Sequence, residues 1–204
     1  MVKLKVCGIT NYEDAVAALD AGAEFLGFNF YAPSPRYIAP QKAREIISKL
    51  PANVMNVGVF VNEPTPQDVI EKLTMSGAEV AQLHGDEDET YCRSVGAARV
   101  IKALRIGRQF DVESLAHYPA TAFLIDAYDK NLYGGTGKTS NWEVAREIAK
   151  TVGVFLAGGL SPENIGEAIR TVQPYAVDVN SGVEKYPGLK DKLKLQALRF
   201  AMKI

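Results

Sequence analysis

The sequence is poor in the residues that build metal and disulfide frameworks. In 204 residues it has two cysteines, Cys7 and Cys92, and two histidines, His84 and His117. The cysteines are far apart and form no CxxC pair, so neither a zinc site nor a disulfide scaffold is expected, and a reducing cytoplasm suits this usage. An excess of charge of one sign is also missing. Lys and Arg total 23 against 24 Asp and Glu, a formal charge of −1, which gives no electrostatic reason to expect nucleic acid or an anionic membrane as partner. No stretch approaches the roughly 18 apolar residues of a membrane span, and the opening residues, with Lys3 and Lys5 among them, do not form the apolar core of a secretion signal. Proline- or serine-rich linkers and low-complexity segments are lacking, so residues 1–204 are expected to form one domain. Nucleotide signatures are lacking too. The glycines at 134–138 do not have the GxxxxGK(S/T) spacing, and no GxGxxG follows a strand-like run.

What is present is a repeating alternation. Short β-rich apolar runs fall at residues 4–9, 25–30, 54–61, 80–84, 100–106, 122–127, 152–157 and 175–179. Between them lie segments with apolar residues at i, i+3, i+4 and i+7, such as Ala43, Ile46, Ile47 and Leu50, or Ile165, Ala168, Ile169 and Val172. Pro40 and Pro162 stand where a first helical turn tolerates a missing N–H, and Ser161 stands as an N-cap. Eight units of roughly 25 residues, closed by a final helix over 191–202, predict a (β/α)8 barrel, with an open doubly wound sheet as the alternative. A barrel places its chemistry at the C-terminal ends of the strands and in the loops that follow them.

The unusual polar residues fall at those ends. Cys7 ends the first run, Arg36 follows the second, His84 ends the fourth, Asp126 ends the sixth and Asp178 lies near the end of the eighth. Singly, each has a plainer role: a buried thiol packs as a small hydrophobe, a lone histidine is satisfied in the core, and a strand-end Asp caps the next helix. Together they mark one rim. Glycine-rich segments lie on the same side of the units, at Gly134, Gly135 and Gly137, at Gly158 and Gly159, and at Asn180-Ser181-Gly182. Tight turns alone account for any one of them, but three together predict a phosphate cradle.

Read in order, Lys5-Val6-Cys7-Gly8-Ile9-Thr10, Ser34-Pro35-Arg36-Tyr37, Gln82-Leu83-His84-Gly85, Leu156-Ala157-Gly158-Gly159-Leu160 and Val177-Asp178-Val179-Asn180-Ser181-Gly182-Val183-Glu184 resemble the phosphoribosylanthranilate isomerase family of tryptophan biosynthesis. The resemblance runs nearly end to end, with Asn180 where a Ser is more usual. It implies a barrel enzyme that converts N-(5-phosphoribosyl)anthranilate, an aminoaldose, into 1-(2-carboxyphenylamino)-1-deoxyribulose 5-phosphate, an aminoketose, with no redox or metal step and no cofactor. It also implies Asp126 as general acid and Cys7 as general base. Arg36 suits the anthranilate carboxylate, because a planar guanidinium grips a carboxylate with two parallel hydrogen bonds. Asp178 and His84 are candidate substrate contacts, and Gly135, Gly137, Gly158, Gly159, Ser181 and Gly182 candidate phosphate contacts. The expected partner is this phosphosugar–anthranilate substrate alone, bound by a monomer or, as second option, a homodimer.

Free Asp and Cys titrate in the wrong ranges for these roles, so both need tuning. Lys5 shares a strand face with Cys7, and barrel closure brings Asp178 beside it, so Lys5 either favours the Cys7 thiolate or pairs with Asp178 and leaves the thiol little changed. Three other readings compete: a Schiff-base aldolase using Lys102, a metal-dependent epimerase with too few strand-end histidines, and a non-catalytic sugar-phosphate sensor.

Overall fold

The computed structural model describes residues 1–96, 99–104, 112, 115, 118–126 and 137–202, the side chains of 137–141 excepted. Eight parallel strands close into a barrel in sequence order: β1 (Lys3–Cys7), β2 (Phe25–Asn29), β3 (Met55–Phe60), β4 (Val80–Leu83), β5 (Val100–Leu104), β6 (Ala122–Asp126), β7 (Val154–Ala157) and β8 (Ala176–Val179). Closure is made by β1 on β8, which pairs Lys5 with Asp178. The open-sheet alternative is thereby set aside.

Period-two alternation sorts each strand into an inward and an outward series. Phe25, Val57, Ile101, Ala103, Ala122, Leu124, Phe155, Ala157 and Ala176 form a compact cluster inside the barrel. A larger cluster, with Val6, Leu26, Phe60, Phe123, Leu156 and Val177, packs between the strands and the helical shell. These apolar outward faces are why the strands read as nearly continuous hydrophobic runs.

Among the described residues the α-helices are α1 (Tyr12–Asp20), α2 (Pro40–Ile47), α3 (Pro66–Ser76), α4 (Glu89–Val95), α5 (Gly137–Ala149), α6 (Ile165–Val172) and α7 (Lys192–Ala201). Their ends carry local signals. The Asn11 side chain accepts from the Asp14 N–H to start α1, Thr65 and Asp68 form a capping box ahead of Pro66, and Asp191 caps α7. Pro40 opens α2, but Leu50 lies beyond the helix end. The Ser161 cap is corrected. Residues 162–164 form turns, α6 starts at Ile165, and Asn164 Oδ1 instead accepts from the Ser161 N–H at 2.9 Å. The Ser161 hydroxyl is committed to the Glu163 carboxylate.

After β8 the chain makes one 3-10 turn (Ser181–Val183) and a small antiparallel hairpin, β9 (Glu184–Tyr186) and β10 (Leu189–Lys190). Gly188 turns this hairpin at φ +85°, in the left-handed region. The Asp14 carboxylate on α1 accepts from the Lys190 N–H at 2.7 Å, fixing the hairpin over the first βα loop.

Candidate active site

Cys7 and Asp126 are the last residues of β1 and β6, so both lie on the C-terminal rim. Asp126 continues the inward series of Ala122 and Leu124, and Asp178 continues that of Ala176. Cys7 shares the series of Lys5, which reaches across the closing seam to Asp178. β1 and β6 are separated by β7 and β8 on the shorter path round the barrel. The acid and base candidates therefore flank one mouth.

Room for the Cys7 side chain depends on its partner in β2. A Cβ on Gly27 would lie 2.7 Å from Cys7 Sγ and 3.1 Å from Lys5 Nζ, so glycine is the residue that fits. Lys5 Nζ donates to Asp178 Oδ2 at 2.9 Å, with both side chains nearly inaccessible to solvent. Asp178 Oδ1 is buried with no hydrogen-bond partner among the described residues. Burial pushes the Cys7 thiol up, Lys5 pulls it down, Asp178 pushes it up again and Lys190 pulls it down; the thiol ends above its ordinary range. The two lysine readings are thus both present in part. Lys5 is in the ion pair and also favours the thiolate, but burial outweighs it.

His84 follows β4 directly, and its Nδ1 lies 2.8 Å from Gln82 Nε2. With the amide donating, the ring proton sits on Nε2. Burial lowers the imidazole below its ordinary range, and both Asp178 and Asp126 act on it against that trend. His84 is therefore a neutral imidazole near two carboxylates at neutral pH.

Arg36 does not stand alone. Its Nε donates to Glu184 Oε1 at 3.0 Å and to Oε2 at 3.1 Å, and its Nη2 donates to Oε2 at 2.6 Å. Lys190 Nζ donates to Glu184 Oε1 at 2.9 Å and to Asn180 Oδ1 at 3.2 Å. Neither Glu184 nor Lys190 was singled out from the sequence. The turn signal Pro187-Gly188 between them, which marks a hairpin, was the available clue.

The loops after β7 and β8 touch. Gly158 and Gly159 have φ of +97° and +61°, conformations that glycine adopts without strain. A Cβ on Gly182 would lie 2.0 Å from the Leu160 carbonyl oxygen, so that backbone approach also requires glycine. Ser181 is exposed beside Gly182. Gly137 is the first residue of α5, whereas Gly135, with Gly134 and His117, lies outside the described residues.

Lys102 is occupied. Its Nζ donates to Glu87 Oε2 at 2.6 Å, to the Gly85 carbonyl at 2.8 Å and to the Leu83 carbonyl at 3.4 Å. With three oxygen partners around a buried Nζ, the nitrogen is turned to the Glu87 loop and not offered to a substrate carbonyl, which argues against the Schiff-base reading. Among the described residues no group of three or more His, Cys, Asp and Glu is placed to hold a metal, and no helix is long and apolar enough to cross a membrane. A groove of about 500 Å3 between α1 and α7, lined by Glu13, Asp20, Arg199 and Phe200 among others, contains none of the rim residues.

Fold and rim together define a (β/α)8-barrel enzyme with its candidate acid and base residues at the C-terminal ends of its strands. The model of the N-(5'phosphoribosyl)anthranilate (PRA) isomerase family matches residues 4–199. A relative from Trichlorobacter lovleyi named N-(5'-phosphoribosyl)anthranilate isomerase is 50% identical over 198 residues, covering 96% of this chain and 95% of its own. The crystal structure of phosphoribosyl anthranilate isomerase from Thermotoga maritima matches with a TM-score of 0.88 at 41% identity, covering 100% of this chain and 99% of its own. A further isomerase structure, in complex with reduced 1-(o-carboxyphenylamino)-1-deoxyribulose 5-phosphate, matches with a TM-score of 0.87 at 38% identity and the same coverage. The chain belongs to the N-(5'-phosphoribosyl)anthranilate isomerase family.

Proposed function

We propose that Asp126 is the general acid and Cys7 the general base in an Amadori rearrangement of N-(5-phosphoribosyl)anthranilate. The chain is an isomerase of tryptophan biosynthesis by its family. The observation that carries the assignment is the placement of the two groups on inward series at one rim. Asp126 gives its proton to the furanose ring oxygen as the C1′–O bond breaks, and the nitrogen lone pair forms the C1′ iminium. Cys7 takes the C2′ proton as the thiolate, the form that Lys5 and Lys190 favour against burial, and that electron pair neutralises the iminium as an enolamine, which tautomerises to the ketone. Apart from the opening of the substrate's own ring the steps are proton transfers, so the scheme asks for positioned acid–base groups and a substrate held between them.

The remaining rim residues hold the substrate. Arg36 receives the anthranilate carboxylate, a reading supported by the positive charge left over when two cations share the single carboxylate of Glu184. Asp178 Oδ1 accepts from a substrate hydroxyl or amine; its burial without a partner among the described residues supports this. His84 offers an Nε2–H to the anion or the sugar, as its contact with Gln82 suggests. The backbone of Gly158, Gly159, Ser181 and Gly182, with Gly135 and Gly137, cradles the phosphate, supported by the left-handed glycines after β7 and the contact between the loops.

We also read residues 1–204 as one domain, a monomer acting in the cytoplasm. The pairing of β1 with β8 joins the two ends of the chain in one sheet, and the rim residues all come from one chain. The deciding experiment follows loss of the intrinsic fluorescence of N-(5-phosphoribosyl)anthranilate. Wild type consumes it, and Asp126→Asn loses about 10²- to 10⁴-fold in kcat. A sugar-phosphate sensor leaves the signal unchanged in both, and an Asp126→Asn variant near wild type removes Asp126 from the scheme.

A further inference from the structure

Glu184 and Lys190 are buried at the mouth, yet the scheme above gives them no chemistry. They face each other in the β9–β10 register, so one hairpin presents a carboxylate and an ammonium side by side. The Asp14 carboxylate on the Lys190 N–H anchors the hairpin to α1, and within the hairpin the Gly188 N–H donates to Glu184 Oε1 at 3.1 Å. The cluster adjoins the base. A Cβ on Gly8, the residue after Cys7, would lie 2.9 Å from Arg36 Cδ, 2.8 Å from Asn180 Oδ1 and 3.4 Å from Lys190 Nζ.

A guanidinium has two edges that match a carboxylate, the Nε–Nη2 side and the Nη1–Nη2 end. Glu184 takes the first. Among the described residues Nη1 makes no hydrogen bond. Charge points the same way as geometry. If Arg36 and Glu184 were alone, the pair would be neutral and hold little attraction for an incoming anion. Lys190 supplies a second cation to the same carboxylate, so two cations share one counter-charge and Arg36 keeps attraction for an anionic ligand.

We infer that Glu184 is a positioning residue for specificity: it clamps one edge of Arg36 so that the other is held for the carboxylate of the substrate's aromatic ring. Lys190 offsets the clamp's charge so that Arg36 keeps its pull on that carboxylate. This rests on Arg36 receiving the anthranilate carboxylate.

The test compares two ligands, the reduced product analogue 1-(o-carboxyphenylamino)-1-deoxyribulose 5-phosphate and its counterpart lacking the ring carboxyl. Binding of each is measured to wild type, Glu184→Gln, Arg36→Lys and the double variant. Glu184→Gln keeps the shape but loses the charge and one acceptor, so binding of the carboxylated ligand weakens about tenfold or more. Binding of the decarboxylated one stays within about twofold. The double variant is no worse than Arg36→Lys alone, because the two residues act as a unit. Glu184→Asp retains the charge opposite Lys190 but shortens the reach, and gives the same selective loss even if Glu184→Gln fails to fold. Equal weakening of both ligands in the Glu184 variants, or none, overturns the positioning role while leaving Arg36 in place. An Arg36→Lys variant with unchanged preference for the carboxylated ligand overturns the reading of Arg36 itself.

Discussion

Lys5 and Asp178 meet as a buried ion pair, 2.9 Å apart, at the seam where β1 and β8 close the barrel. The pair joins fold to chemistry, because the same ammonium lies on the inward face that ends in Cys7. Lys5→Met leaves the Asp178 carboxylate buried without its cation, and a loss of about 3–5 kcal/mol in unfolding free energy is expected. Lys5→Met with Asp178→Leu recovers much of that loss in denaturant titrations. A second readout separates charge from stability. Burial already pushes the Cys7 thiol up, and Lys5 is the strongest influence holding it down. The pH profile of Cys7 alkylation in folded Lys5→Met moves to still higher pH. An unmoved profile ends the account of Lys5 as a source of field.

Two buried glutamates predict the acid behaviour. Burial pushes Glu87 up, but donation from Lys102 and from the Asn62 N–H overcomes this and holds its carboxyl below the ordinary range. Glu184 is held low in the same way, by Arg36 and Lys190 against burial. A carboxyl with a lower value folded than unfolded stabilises fully above its unfolded value of about 4.3. That contribution is lost as pH falls through the folded value. The melting temperature of wild type therefore drops from about pH 5 downward. Glu87→Gln melts lower at pH 7, since Lys102 loses its buried counter-charge, but shows a shallower drop in acid. An equally steep acid drop in Glu87→Gln assigns the effect elsewhere.

The contact between the loops after β7 and β8 makes Gly182 a sharp probe of the phosphate cradle. The obstruction to a methyl group there is backbone, the Leu160 carbonyl at 2.0 Å with its carbon at 2.9 Å and Ser161 Cα at 3.1 Å, and no rotamer relieves it. Gly182→Ala pushes the loops apart, at a stability cost of about 1–3 kcal/mol. KM rises about tenfold or more as the phosphate loses its fit. A KM near wild type in a folded variant removes these loops from the phosphate site.

How much of this was legible in the sequence depends on the range of the physics involved. The eight strands were readable because each is a short apolar run bounded by glycine, proline or a polar cluster, and Cys7, Asp126 and Asp178 were readable as polar breaks at the ends of such runs. The helix start near Ser161 was misplaced because the Ser161 hydroxyl is taken by the Glu163 carboxylate and not by a backbone N–H of the next turn, a choice that depends on local geometry. Glu184 and Lys190 stand in a polar stretch that resembles a solvated surface. Their burial arises only when the hairpin folds over α1 and meets Arg36 from the far side of the closure. The state of the Cys7 thiol was not legible for a related reason: nearby charges can be inferred from strand spacing, but the depth of burial that outweighs them cannot.

The role of Cys7 separates most cleanly from packing by exchanging sulfur for oxygen. Cys7 is nearly inaccessible to solvent, and the space around its Sγ is set by the absence of a side chain at Gly27. Serine fits that space, so Cys7→Ser preserves the rim and the Lys5–Asp178 pair. A serine hydroxyl is far less acidic than a thiol and does not supply the base that removes the C2′ proton. The expected result is a loss of about 10²- to 10⁴-fold in kcat with KM within a few-fold of wild type. A parallel loss in Asp126→Asn and a Cys7→Ser/Asp126→Asn double variant that falls far short of the product of the two losses identify groups acting in one reaction. Retention of most of the kcat by Cys7→Ser assigns proton removal to another rim residue.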